Sequence, residues 1–480
     1  MDPTTKPSTD VTAGRGAQPA AAPGGNLPAC LLERLIGRPA AGWTVDDLEA
    51  LAEARNVRVV SLMHVGGDGW LKALDFVPRD RAHLRDILTG GERADGSSLF
   101  AGYGLEVGAS DILLRPRLET AFLDPFAARP TLVLLCGHAG RDGAPLPQSP
   151  DTIVRAADRR ATRETGVQLQ ALGEVEYFLG RRAGEEDIYG ASDRGYHATS
   201  PFVFGEALRR EAMALLAEIG VPVKYGHSEV GYVPAAKADG VIWEQHEIEL
   251  GLAPLPAAAD AVVLTQWVLR NLAHRAGMRC SFDPILRRGH AGTGLHFHLS
   301  PVRDGRHLAG RGADGKLSEP AQWLIGGLVR AGGALMAFGN RTEGSLIRLT
   351  QAKEAPNAIV WGEFDRSALV RLPIVARTTD GRAVSPPTIE FRLPDGSAHP
   401  HLLLAGVAQA MVEAMGVPDV AAVLERTSVV ALRQGAAAPT PVPTRFGEVA
   451  EALKAHRAAL EAGGVFPPVL LDRLIERLGE

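Results

Sequence analysis

Five short segments of this 480-residue chain each place two chemically able side chains at positions i and i+2. They are Glu174 and Glu176 in GEVEYF, His227 and Glu229 in GHSEV, and Glu247 and Glu249 in QHEIEL. His296 and His298 in GLHFHLS and Glu390 and Arg392 in TIEFRLP complete the set. In a β-strand such a pair points from one face, while the residue between it packs on the other. One pair alone describes a half-exposed strand with a solvated face; five within one region describe a site. Carboxylates and imidazoles converging on a sheet face suit a hard divalent cation, because Mg²⁺ and Mn²⁺ favour oxygen ligands and Mn²⁺ tolerates imidazole. Zinc fits less well, since no cysteine takes part and carboxylates outnumber histidines.

A second, basic group lies nearby in sequence. RLTQAKEAP and FDRSALVRLP supply Arg348, Lys353, Arg366 and Arg371, and Arg392 follows. Planar guanidinium forks match carboxylate and phosphate oxygens. Divalent cations facing a row of arginines meet the needs of phosphoryl transfer from ATP, which are positioning and neutralisation of the γ-phosphate charge. The chain has no GxxxxGK[ST] loop, no GxSxG elbow, no HExxH and no GxGxxG between strand and helix, so any nucleotide is held by another device.

The elements that must position these groups follow from hydrophobic period. Residues 31–54 read as helical, and VRVVSLMHV, the turn GGDG and WLKALDFVP read as a hairpin. RPRLETAFLDP and RPTLVLLCGH read as further strands, giving a small sheet-plus-helix domain over 27–142. DGAPLPQSPDT marks the boundary, with a helix over 152–165 beyond it. Helices are expected over 205–219, 257–276, 320–337, 402–415, 446–462 and 468–478, mixed with strands in one large α+β catalytic domain over 143–480. Residues 1–26, with Val11 their only bulky aliphatic residue, read as a disordered tail.

Composition limits the partners. Lys plus Arg number 51 against 56 Asp plus Glu, so the chain lacks the basic footprint that nucleic acid or an anionic membrane demands. No stretch reaches the roughly 18–20 apolar residues of a membrane span, and the N-terminus has no signal-peptide core. Cys30, Cys136 and Cys280 are far apart, which fits a reducing, cytoplasmic setting.

From about Arg58 to the C-terminus the chain resembles the glutamine synthetase family. DGSS (Asp95 to Ser98), SDILLRP and TAFLDPF resemble its N-terminal signature, and GEVEYF, HSEV, GTGLHFHLS, RLTQAKEAP, RSALVRLP and IEFRLPD its catalytic signatures, in order. The resemblance implies a β-grasp N-terminal domain, a catalytic domain with a curved antiparallel sheet flanked by helices, and homo-oligomers of stacked rings. It implies two Mg²⁺ (or Mn²⁺) ions per site, one on Glu176, Glu229 and Glu247 and the other on Glu174, His296 and Glu390. It puts the acid substrate on Glu176, Gly292, His296, Arg348 and Arg392, and the nucleotide phosphates on His227, Ser300, Arg366 and Arg371. Asp95, Glu354 and Arg366 are its catalytic residues, Glu354 as a closing flap and Asp95 offered by a neighbouring subunit to the ammonium. The implied reaction is phosphorylation of the glutamate γ-carboxylate by ATP, then attack of ammonia on the acyl phosphate.

Departures leave the substrate open. Ala291 stands where the family carries Asn, DPILRR replaces an MPKP stretch, and the loop from Glu229 to Glu247 is lengthened around 230–242. No tyrosine follows Tyr232, so the adenylylated tyrosine of some bacterial members has no counterpart. Three readings follow: a glutamate–ammonia ligase, a ligase of the same chemistry for another amine or acid, and a non-catalytic scaffold or sensor. Retention of all the ligand types argues against the last.

Overall fold

The computed structural model describes residues 29–105, 110–184, 194–312, 314–351, 355–435 and 438–480. The 1–26 tail, Lys353 and Glu354 lie outside the described residues. The expected single helical stretch over 31–54 is broken. Helix Leu31–Ile36 ends at Gly37, whose φ of 80° favours glycine, and after Pro39 the chain restarts as helix Val45–Ala54. Thr44 and Asp47 form a capping box at that second start.

The first sheet contains β1 (Val59–Val65), β2 (Leu71–Phe76), β3 (Glu92–Asp95), β4 (Asp111–Pro116), β5 (Phe122–Leu123) and β6 (Thr131–Ala139). Its order is β2-β1-β6-β4-β3, with β5 against β6, and β1 and β6 run parallel. The expected hairpin is β1–β2, and helices Val45–Ala54 and Arg81–Gly90 cover the sheet in the β-grasp manner.

The second sheet holds β7 (Gln168–Arg182), β8 (Val223–Val233), β9 (Val241–Leu250), β10 (Ala253–Pro254) and β11 (Arg279–Ser281). It continues with β12 (Leu295–Arg303), β13 (Arg306–His307), β14 (Trp361–Glu363), β15 (Val370–Leu372) and β16 (Ile389–Phe391). The order β14-β15-β16-β12-β7-β9-β8 is antiparallel except for the β14–β15 pair. Nine of the ten paired side chains lie on strands of this sheet, and Arg392 directly follows β16. Helices Glu319–Gly339, Pro400–Met415 and Phe446–Glu461 pack together beside it. Gly327 lets helix Glu319–Gly339 approach the backbone of helix Pro400–Met415, since a Cβ there would lie 2.4 Å from the Ala410 carbonyl oxygen. No single helix among the described residues is long and apolar enough to cross a membrane.

A buried polar seam joins the segment after β4 to helices Leu255–Arg275 and Pro400–Met415. Arg117 donates to Asp260 at 2.7 Å, and His401 meets the other Asp260 oxygen at 3.0 Å. Such a network fixes orientation more than it adds stability. Beside it, His138 of β6 contacts His64 of β1 at 3.1 Å and Ser149 at 2.8 Å. Burial pushes the His64 imidazole down to about 4 and that of His138 down to about 3. Lys72 next to His64, and Arg117 and His401 next to His138, add to the shift, and Asp68 opposes it at His64.

Both histidines are therefore neutral in the folded protein, and the unfolded chain binds more protons between the ordinary value near 6.5 and the depressed ones. Stability is expected to fall as pH drops from about 6.5 toward 4, by about 3 kcal/mol from His64 alone at 1.36 kcal/mol per unit. His64→Gln is expected to flatten this slope in thermal melts taken across that range. An unchanged slope in the variant would assign the pH dependence to other groups.

Candidate active site

Strand register explains how residues distant in sequence meet. Directly opposite pairs are Glu174 with His296, Glu174 with Glu249, Glu176 with Glu247, His227 with Glu247, and both His298 and Arg371 with Glu390. Cross-strand partners lie about 4.5–5.5 Å apart at Cβ, so these pairings build one continuous polar surface. A cavity of about 530 Å³ opens over it, lined by Glu174, Glu176, Glu229, Glu247, His296 and Glu390, and also by His227, Arg366, Arg371 and Arg392. The lengthened connection between Glu229 and Glu247 is taken up in the arms of the β8–β9 hairpin, and Glu247 stays buried on the cavity side.

Among the described residues, ligand atoms gather in three groups, each within 4.8 Å: Glu174, His298 and Glu390; His227, Glu229 and Glu247; and Glu174, Glu247 and Glu249. These are not the trios that the resemblance implies. Glu176 lines the cavity but belongs to none of the three groups, its Oε2 accepting from Gln245 Nε2 at 2.8 Å and from the Gly294 N–H at 2.6 Å. Only glycine permits that approach, since a Cβ at Gly294 would stand 2.9 Å from Glu176 Oε1. His296 and His298 each contact Glu174 at 2.9 Å.

The electrostatics of this surface are those of crowded like charges. Burial and the neighbouring carboxylates Glu174, Glu176, Glu229 and Glu249 keep the Glu247 proton on well above the usual carboxylate range. Burial opposes ionisation of both Glu174 and His298, but their mutual attraction wins, holding Glu174 low and pushing His298 up to about 9. Like charges directly across strands are destabilising, and a divalent cation relieves them. An oxygen-rich donor set with imidazole at its edge suits Mg²⁺ or Mn²⁺.

Titrating Mn²⁺ into cation-free protein is expected to raise Tm, and at about 100-fold excess over Kd the linkage is about 2.7 kcal/mol, or several degrees. Because folding raises the Glu247 pKa, cation-free protein should lose stability as pH rises above the carboxylate range. Glu247→Gln is expected to stabilise the cation-free form and blunt the Mn²⁺ shift. Equal shifts in parent and variant would place the cation elsewhere.

A smaller pocket of about 220 Å³ adjoins the first and shares Glu176, Glu229, Val230, His296 and Arg392 with it. Ala291, Gly292 and Arg348 line its far side. Arg348 is buried, with Nη1 donating to the Leu393 carbonyl at 3.1 Å and Nη2 lying 3.4 Å from His296 Nε2. Arg371 donates to Glu390 at 2.7 Å, while Arg392 donates to Glu390 at 3.0 Å and to the Arg366 carbonyl.

Two sequence-expected residues stand apart from the cavities. Ser300 is fully buried, donating to the Pro387 carbonyl at 3.0 Å and contacting His307 at 3.0 Å, and it lines neither cavity. Asp95 is exposed at the end of β3 and caps helix Gly96–Leu99, and it too lines neither cavity of its own chain. Bonds from Ser98 and Ser97 hold its carboxyl well below the usual range. Sequence reading does not single out Tyr196, Lys224 or Tyr225. Glu249 and His298 belong to the paired segments read there as a cation face but carry no role under the family resemblance. All five line the larger cavity. Lys224 and Tyr225 are adjacent, and a register shift between Val223 and Tyr225 breaks the alternation that pattern reading relies on.

Fold and site together define an α+β protein whose curved sheet gathers carboxylates, imidazoles and arginines around a cation-ready cavity. Residues 148–476 match the family model described as glutamine synthetase, catalytic domain. A glutamine synthetase of Azospirillum brasilense is 30% identical over 424 residues, covering 82% of this chain and 86% of that protein. A 3-hydroxylaminophenol mutase of Cupriavidus pinatubonensis is 31% identical over 428 residues, with 82% and 86% covered. The solved structure of Plasmodium falciparum glutamine synthetase superposes with a TM-score of 0.75 at 18% identity, covering 91% of this chain and 95% of that one. The chain belongs to the glutamine synthetase family, and its coarse class is that of a ligase enzyme.

Proposed function

We propose that the protein is an ATP-dependent ligase that makes an amide from the side-chain carboxylate of glutamate and ammonia, through an acyl phosphate. The observation that carries this reading is the pair of joined cavities: a larger one rich in carboxylates and arginines, and a smaller one closed by Arg348. Arg348 and Arg392 would grip the α-carboxylate of the acid, leaving its side chain directed toward the shared residues Glu176, Glu229 and His296. Arg366 and Arg371 would take the phosphate oxygens. The metal ligands would be the Glu174, Glu176, Glu229, Glu247, His296 and Glu390 side chains, with His298 and Glu249 beside them. Bound Mg²⁺ or Mn²⁺ would supply charge neutralisation of the triphosphate.

In the first step a carboxylate oxygen bonds to the γ-phosphorus as the bond to ADP breaks. In the second the amine nitrogen bonds to the acyl carbon, phosphate leaves, and the nitrogen sheds a proton to a nearby carboxylate. Asp95 would serve the cavity of a neighbouring copy, and Glu354 would close the site. Phosphate release by purified protein with ATP and Mg²⁺ tests the reading: glutamate plus ammonia should give the fastest turnover in a panel of acids and amines.

Ala291 favours a second reading, in which the same chemistry joins a different amine or acid. It lines the small pocket and offers no side-chain hydrogen bond to the substrate amino group. A lost bond to a charged group is worth about 1.5–3 kcal/mol, so Ala291→Asn is expected to lower the KM for glutamate about tenfold or more. If the variant does not improve glutamate use while another acid or amine turns over faster in the parent, the second reading replaces the first.

A further inference from the structure

A cavity of about 840 Å³ lies outside the catalytic one, between the β1–β2 turn, helices Leu255–Arg275 and Pro468–Gly479, and the Phe282–Pro284 segment. Three arginines line it: Arg270, Arg341 and Arg477. The Arg270 guanidinium lies 4.8 Å from the Trp70 ring centre and 4.7 Å from that of Phe282. Pinned between two rings, it loses little freedom on binding, and cation–π contact leaves its N–H edges available.

No ion pair joins any of the three arginines to a described carboxylate. Arg341 spends one N–H on the Asp68 carbonyl at 2.9 Å. The two acidic residues of the cavity are engaged elsewhere, Asp68 with Lys72 at 2.7 Å and Asp283 with Ser281 at 2.8 Å. Burial pulls both Arg270 and Arg341 down from their ordinary values, although Asp283 near the first and Asp68 near the second oppose the shift. A pocket of this size, lined by three arginines and by aromatic side chains, has the features of a small-molecule site. Its floor is close to the acid pocket: the Pro284 carbonyl accepts from the Thr293 N–H at 3.0 Å, next to Gly292.

We propose that this cavity is a second ligand site, taking a small organic anion whose carboxylate or phosphate oxygens bridge Arg270 and Arg341. Two of the six tryptophans of the chain, Trp70 and Trp267, line it and provide the readout. The full-length protein is titrated with succinate and, separately, with inorganic phosphate, following tryptophan fluorescence and heat. Saturable binding is expected, retained in Arg371→Gln, which disables phosphate contacts in the catalytic cavity, and weakened at least tenfold in Arg270→Met. Arg341→Gln, judged folded by its melting temperature, is expected to weaken binding likewise and carries the test if Arg270→Met does not fold. The tighter of the two probes identifies the anion class. Unchanged affinity in both cavity variants, or loss of binding in Arg371→Gln, overturns the proposal. So does a fall in oligomer mass on Arg270→Met with binding intact, which would make a neighbouring copy the partner of Arg270.

Discussion

Glu174→Gln is expected to lower kcat/KM by about 10²–10³-fold, the cost of removing one preorganised electrostatic group from a site of this kind, about 2.7–4 kcal/mol. Glu174 belongs to two of the three ligand groups, as Glu247 does, and it also accepts from both His296 and His298. The substitution keeps the volume, removes the charge and leaves one acceptor oxygen where there were two, so only one of His296 and His298 keeps an acceptor to orient it. His298, now pushed up to about 9 with Glu174 as its nearest opposing charge, is expected to titrate lower in the variant. Phosphate release measured against Mn²⁺ concentration separates the two possible losses. A higher cation requirement with recovered rate assigns Glu174 to cation affinity, and a low rate at saturating cation assigns it to chemistry. Activity within tenfold of the parent under all conditions would remove Glu174 from the site.

Arg348→Lys is expected to raise the KM for the acid ten- to hundredfold while changing kcat much less. The planar fork that matches a carboxylate bidentately is lost, although the charge is kept. The position is demanding because the guanidinium is buried among Asp395, Glu176 and Arg392, and burial pulls it below its ordinary value. Arg348→Met removes the charge as well, leaving buried Asp395 without its opposing partner, and is expected to lower Tm in addition. The KM-to-kcat split in the lysine variant is the decisive measurement. An equal fall in kcat with unchanged KM would mean that Arg348 acts on the transition state and not on acid binding.

Much of the site was legible before any coordinates, because side-chain direction in a strand is a local property. Glu-Val-Glu, Glu-Ile-Glu and His-Phe-His each put their polar members on one face whatever the rest of the chain does. The helices over 205–219, 257–276 and 320–337 were legible for the same reason, as apolar residues at period 3.6. Local rules failed where the backbone leaves regular geometry. The bulge at Val223–Tyr225 brings Lys224 and Tyr225 together onto the cavity. Gly37 and Pro39 broke the stretch that apolar period alone reads as one helix.

Ser300 shows the opposite failure. It follows His296 and His298 at the same period of two, yet the Pro387 backbone covers it. By itself the sequence determined which residues share a face, the donor types available to a cation, and the family. Only the tertiary structure decided that Glu174 faces both His296 and Glu249, that Glu176 turns to Gln245 and Gly294, and that three arginines enclose a second cavity. The physical reason is that the direction of a side chain depends on the φ and ψ of its own residue. Its neighbours depend on strand register and on packing between segments hundreds of residues apart, which no local pattern encodes.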